Sequence, residues 1–202
     1  MLKPVHPQCF GCGILMPAGV RTPPGRTCMS CREASFLYAF FSPFSFEQEY
    51  IRELVHALKY RRVRDIGAVL ASLLFEYCSF YSLALPKDAI MIPIPLHKKR
   101  ERTRGFNQAE IIARHFGEYF GVQPYTGVIK KIKPTVPQVE LLSQERKENV
   151  KGVFCVTHPE VVRNRTIILL DDVKTTGATI EEAAKTLKEA GAKYVWAITV
   201  AH

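Results

Sequence analysis

Between Thr166 and Val200 two apolar runs flank a single helical stripe, and no other stretch of the chain restricts the fold as tightly. Thr166-Ile167-Ile168-Leu169-Leu170 reads as a buried strand, Asp171 to Ala178 as a loop, and Thr179 to Ala190 as a helix that Gly191 ends. Tyr194 to Val200 reads as a second strand. Strand, helix and strand at this spacing form a βαβ unit, so the two strands run parallel and the sheet needs helices over its faces. The predicted class is therefore α/β, a parallel sheet flanked by helices. In such sheets ligands sit beyond the carboxyl ends of the strands, which here means Asp171-Asp172-Val173-Lys174-Thr175-Thr176-Gly177-Ala178-Thr179.

The residue types in that segment point to one chemistry. Lys174 to Thr179 can turn several backbone N–H groups toward one point at a helix N-terminus, with threonine hydroxyls as further donors, which is how phosphate is bound. Gly177 lets the backbone approach closely. Asp171 and Asp172 would repel a bare phosphate, so they must face a part of the ligand that donates hydrogen bonds or carries a cation. Ribose hydroxyls and Mg2+ meet that need, and a ribose 5-phosphate follows. A plain helix cap competes for one residue: Thr179 with Glu182 three positions later is a capping-box pattern. Capping leaves the paired aspartates and the Thr-Thr-Gly turn unexplained. No G-x-x-x-x-G-K-[ST] loop occurs, and Gly177 stands alone, so neither a Walker A loop nor a dinucleotide fingerprint is present.

At the other end, Cys9-Phe10-Gly11-Cys12 and Cys28-Met29-Ser30-Cys31 give C-x2-C-x15-C-x2-C, the spacing of a tetrahedral structural zinc site. Pro17, Gly19, Pro23, Pro24 and Gly25 lie between the pairs and argue for a ribbon-like loop that metal must hold together. A redox role is weaker, because neither pair lies between a strand and a helix. Cys78 and Cys155 fall in apolar surroundings and read as core.

In the middle of the chain Ile51, Leu54, Val55 and Leu58 form an amphipathic stripe that ends in the basic run Lys59 to Arg64. A second helix is expected over Asp65 to Cys78 and a strand over Ala89 to Pro95. The polar, basic segment Leu96 to Phe106 follows, and then a helical stripe from Ala109 to Phe120. Thr126 to Gln144 reads as a long loop broken by Pro134 and Pro137. A net charge of +9 over 202 residues favours polyanionic partners. The excess concentrates between Lys98 and Lys151, which hold 12 Lys or Arg against 6 acidic residues. No apolar stretch is long enough to span a bilayer, and Met1 to Pro4 lacks the apolar core of a signal peptide, so no membrane insertion and a cytoplasmic location are expected.

The acidic pair followed by Thr-Thr-Gly-Ala-Thr after an apolar strand resembles the phosphoribosyl pyrophosphate (PRPP) loop of type I phosphoribosyltransferases. A further set narrows the resemblance to the ComF family of competence proteins. Its members are Pro93-Ile94-Pro95-Leu96-His97, Arg100, Arg104-Gly105-Phe106-Asn107-Gln108-Ala109 and Leu58-Lys59-Tyr60. Thr135, Gln138, Leu142, Arg146, Asn149, Gly152 and Phe154 continue it, together with the four cysteines. The resemblance implies a zinc-binding module over residues 1–40 and a phosphoribosyltransferase-like domain over 45–202. It implies that Asp171 and Asp172 take the ribose hydroxyls and act in any catalysis, and that Lys174 to Thr179 take the 5-phosphate. Pyrophosphate or DNA would meet His97, Lys98, Lys99, Arg100, Arg104 and Lys131, under a mobile hood from Lys130 to Lys147. The implied partners are PRPP or a related sugar phosphate with Mg2+, single-stranded DNA and the DNA-uptake machinery of natural transformation. Phe10, Tyr60, Phe106 and Tyr125 lie near basic residues and are candidates for base stacking. No residue stands out as an acceptor-activating base, so an enzyme and a binding module both remain open, as does a nucleotide-salvage transferase without a DNA role.

Overall fold

The computed structural model describes Cys9, Cys12, Ile14, residues 28–135 and residues 149–202. Its centre is a four-stranded sheet in the order β1 (Ala39–Phe41), β6 (Tyr194–Ala201), β5 (Thr166–Val173), β2 (Ile90–Pro93), and every neighbouring pair is parallel. An antiparallel ribbon pairs β3 (Ile129–Lys131) with β4 (Phe154–Val156). The described helices are α1 (Met29–Arg32), α2 (Glu49–Tyr60), α3 (Ile66–Phe80), α4 (Lys98–Arg104), α5 (Gln108–Glu118), α6 (Pro159–Val162) and α7 (Ala178–Glu189). None of them is long and apolar enough to cross a membrane.

The architecture follows from β5. Its side chains alternate between faces with a period of two. Ile168 and Leu170 enter one core with Trp196 and Ile198 of β6, packed under Ile51 of α2, Leu70 of α3 and Ile112 of α5. Ile167 and Leu169 enter a second core with Val195 and Ala197, packed under Ala183 and Leu187 of α7 and under Ile129 and Phe154 of the ribbon. Because both faces are covered, the strand is apolar throughout rather than alternating. Each such fully buried side chain contributes on the order of 1.5–3 kcal/mol. On the first face α3 and α5 are in close contact at Gly67, where a Cβ would lie 2.3 Å from the Ile111 Cγ2 methyl.

The structure departs from the sequence reading in four places. The ladder of β5 continues past Leu170, with Asp171 opposite Thr199 and Val173 opposite Ala201, so the acidic pair belongs to the strand and not to the loop. Helix α7 begins at Ala178 and is preceded by Gly177 at φ 80°. Thr179 is therefore not its cap, and the Glu182 carboxylate accepts instead from the Gly152 N–H at 2.6 Å. Within the basic segment Leu96 to Phe106 stands α4, which buries no residue and so shows no apolar stripe. Inside the expected loop Thr126 to Gln144, residues 129–131 form β3, while residues 136–148, and most of the expected hood with them, lie outside the described residues.

Candidate functional site

The two aspartates stand together at the end of β5, where they interact with each other and line one cavity. Asp172 follows Ile168 and Leu170 on their face of the strand. Asp172 is thereby aimed at the α2 side, where Lys59 in the last turn of α2 meets it: Lys59 Nζ lies 2.6 Å from Asp172 Oδ2. Asp172 is 3% exposed, and its Oδ1 accepts from the Val173 N–H at 2.9 Å. Asp171 Oδ1 accepts from the Asp172 N–H at 2.8 Å. Burial, and after it the charge of Asp172, push the Asp171 carboxyl up to about 8, against the opposing pull of Lys59.

Beyond the pair the chain turns through Lys174 to Gly177 into α7. The Lys174 N–H still bonds the Ala201 carbonyl at 2.8 Å, and the Ala178 N–H reaches back to Thr176 Oγ1 at 3.4 Å. Gly177 adopts the left-handed conformation that lets the loop enter α7 without strain. Burial lowers the Lys174 ammonium, whose Nζ lies 5.5 Å from the centre of the Phe40 ring.

Opposite stand cations from two other elements. Arg100 and Arg104 come from α4, and Lys131 comes from β3, on the Asp171 side of the sheet. Arg104 donates to the side-chain Oε1 of Gln108 and its guanidinium carbon is 5.8 Å from the Tyr60 ring centre. Burial lowers Arg104, while Asp172 and Asp171 oppose that effect. Lys131 donates to Thr135 Oγ1 at 2.8 Å, and burial followed by the charge of Arg100 pushes it down to about 8. These groups enclose a cavity of about 630 Å³ over the ends of β2 and β5. Lining it are six Lys or Arg (Lys59, Arg62, Arg100, Arg104, Lys131, Lys174) and two carboxylates, a formal excess of four positive charges.

Of the residues singled out in the sequence, Asp171, Asp172, Val173, Lys174, Thr175, Gly177 and Thr179 line this cavity together with Arg100, Arg104 and Lys131. Thr176 and Ala178 are tied to each other in the turn. His97, Lys98 and Lys99 do not line it: His97 caps α4, its Nδ1 accepting from the Lys99 N–H at 3.3 Å, and Lys98 and Lys99 are exposed. The stretch Arg104 to Ala109 is mainly a hinge between α4 and α5. Asn107 caps α5 by accepting from the Ala109 N–H at 3.1 Å and donates to the Ile94 carbonyl at 3.0 Å, which ties the hinge to the end of β2. Among the stacking candidates Tyr60 is 67% exposed at the rim, Phe106 is buried under Arg64, and Tyr125 lies in a separate hollow beside Ile90. Phe10 lies outside the described residues. The sequence reading did not assign Lys59, Arg62 or Gln108 to the site. The signal for Lys59 and Arg62 was the Leu58-Lys59-Tyr60 motif and the basic run after it, and that for Gln108 the Arg104 to Ala109 motif; neither says where the end of α2 or the start of α5 lies.

The four N-terminal cysteines form a second centre. The sulfurs of Cys9, Cys12, Cys28 and Cys31 all lie within 4.8 Å of one another, and those of Cys12 and Cys28 are 3.7 Å apart. Zn–S bonds of about 2.3 Å in a tetrahedron place sulfurs about 3.8 Å apart, so the set fits that ion. The Cys28 N–H donates to Cys9 Sγ at 3.3 Å, the kind of backbone contact that supports a thiolate.

The phosphoribosyl transferase domain family matches residues 102–202, half of the chain, and those residues include the acidic strand end, the turn from Lys174 to Gly177 and α7. The chain belongs to that family. Among curated relatives of this phosphoribosyl transferase domain protein, DNA utilization protein YhgH of Salmonella typhi is 33% identical over 144 residues, which is 70% of this chain and 63% of the relative. Competence protein F of Haemophilus influenzae is 30% identical over 72% of this chain and 66% of its own length. Competence protein ComFC of Bacillus subtilis is 30% identical over 70% of this chain and 55% of its own. The matched stretch thus spans less than two-thirds of these relatives. With the cysteine cluster, the chain is a phosphoribosyltransferase-like sheet carrying an N-terminal module whose four cysteines could hold a metal ion.

Proposed function

We propose that the cavity binds PRPP or a related sugar phosphate with Mg2+, in a cytoplasmic protein that handles incoming single-stranded DNA during natural transformation. The observation that carries this reading is the pairing of a carboxylate couple with a formal excess of four positive charges in one cavity. PRPP presents two neighbouring hydroxyls, a 5-phosphate and a pyrophosphate, and each finds a chemically matched wall. The hydroxyls suit Asp171 and Asp172, the phosphate suits the turn from Lys174 to Thr179, and the pyrophosphate suits Arg100, Arg104 and Lys131. Mg2+ would supply charge neutralisation on the pyrophosphate. The relatives' names support the DNA role, and the basic rim with exposed Tyr60 is suited to a single strand. Zn2+ in the cysteine cluster would be structural.

Titration calorimetry with PRPP and Mg2+ tests the reading. Binding is expected in the wild type, with a loss on the order of 10- to 100-fold in Asp171→Ala or Asp172→Ala, the worth of a charged hydrogen bond to a hydroxyl. Failure of both PRPP and ribose 5-phosphate to bind would overturn it. Oligonucleotide affinity that falls steeply with salt supports the DNA half, and pyrophosphate release over an acceptor panel separates an enzyme from a binding module.

A further inference from the structure

Lys59 is the feature of the cavity that the sugar-phosphate reading does not require. It comes from α2, outside the stretch matched by the phosphoribosyl transferase family, and it occupies the place on Asp172 that a cation would need. Leu58 beside it is fully buried and fixes the helix against the core, so Lys59 is delivered at a set position. Its side chain is 19% exposed, which leaves it little water to turn to if it leaves the carboxylate.

Asp171 and Asp172 both line the cavity and interact with each other, yet neither is free to take a bare cation. Both Asp172 oxygens are engaged, Oδ1 by the Val173 N–H and Oδ2 by Lys59, and Asp171 Oδ1 is held by the Asp172 N–H. Arg104 also acts on both carboxylates, and the positive excess of the cavity repels a bare divalent ion. An anionic ligand reverses both conditions. Its phosphates offset the excess charge, and they offer Lys59 a new partner.

We propose that Lys59 keeps the acidic pair closed to a free divalent cation, so that a cation enters this site only together with an anionic phosphate ligand. Lys59 is then a positioning and selectivity residue. The inference rests on the sugar-phosphate reading only for the identity of that ligand. The Lys59–Asp172 contact itself stands independently of it.

The test uses the full zinc-loaded chain and Mn2+ alone as the probe, followed by electron paramagnetic resonance. The wild type is expected to bind free Mn2+ at least ~10-fold more weakly than Lys59→Met, because one facing positive charge has been removed. Lys59→Arg, which keeps the charge, is expected to behave as the wild type, and Lys59→Met with Asp172→Asn is expected to lose the gained affinity. Equal Mn2+ affinity in wild type and Lys59→Met overturns the proposal, as does a gain that survives Asp172→Asn. A melting curve of each variant shows that the comparison is between folded proteins. A second titration adds PRPP to the wild type, where Mn2+ uptake is expected to rise at least ~10-fold once ligand is present, in line with the removal of a facing charge. If PRPP does not bind at all, the sugar-phosphate reading fails while the Mn2+ comparison still decides the role of Lys59.

Discussion

Replacing Asp171 by Asn should stabilise the free protein while weakening its ligand binding. Burial and the charge of Asp172 push this carboxyl up to about 8 in the folded chain, whereas an unfolded aspartate titrates near ~3.9. Between those values the folded state keeps a proton that the unfolded state has released. The folded state therefore binds more protons, and the free energy of unfolding falls as pH rises through the window, by up to ~1.4 kcal/mol per unit. The ceiling from pH 5 to 7 is about 2.7 kcal/mol, and coupling to Asp172 and Lys59 spreads the titration, so about 1–2 kcal/mol is expected. The amide of the Asp171→Asn variant has no such proton to lose. Urea unfolding of both proteins at pH 5, 6 and 7 without ligand should show the advantage of Asp171→Asn growing by that amount from pH 5 to 7. A difference that stays constant over those pH values, or that shrinks, would refute the placement of Asp171 as a buried, charge-crowded carboxyl. The same variant should lose sugar-phosphate affinity, because an amide accepts hydroxyl bonds without the charge.

Other consequences concern the parts that hold the site. Gly177→Ala forces a Cβ into the left-handed region at φ 80°, which should cost about 1–2 kcal/mol of stability and reduce PRPP affinity by calorimetry. Asn107→Ala removes the α5 cap and the bond to the Ile94 carbonyl, and a loss of about 2 kcal/mol in urea unfolding is expected. Asn107→Asp, which keeps the cap alone, should fall between. Elemental analysis should find one zinc per chain, lost in Cys9→Ser and Cys28→Ser and retained in Cys155→Ser, since the sulfur of Cys155 is not in the cluster.

What the sequence made legible is what local pattern controls. The run Thr166 to Leu170 announced a strand covered on both faces, and the cysteine spacing announced a cluster, because each depends on neighbours in the chain. The Thr-Thr-Gly turn before α7 was recognisable for the same reason. The reach of β5 to Val173 was not, since two carboxylates in a strand contradict propensity, and pairing with Thr199 and Ala201 overrides it. Helix α4 was hidden because its seven residues bury nothing. Lys59 was hidden for a different reason: its role is created by the packing of α2 on the sheet, a contact between residues 113 positions apart in the chain. The basic residues of α4 divide on the same ground, since helical rotation brings Arg100 and Arg104 to the cavity and leaves Lys98 and Lys99 at its outside.

The cysteine module and the turn before α7 also share a support. Just after the second cysteine pair, Ser35 Oγ donates to one oxygen of Glu181 and the Phe36 N–H donates to the other at 3.1 Å. Glu181 stands in the first turn of α7, the helix that the Lys174 to Gly177 turn enters. Burial raises its carboxyl while those two bonds oppose the rise, so the contact is worth most where Glu181 is ionised. From there the chain enters β1, which pairs with β6 along the edge of the same sheet. The bonds of Ser35 and Phe36 therefore tie the segment that follows the cysteine cluster to α7. This gives the N-terminal module a direct physical connection to the site it precedes in sequence by more than a hundred residues.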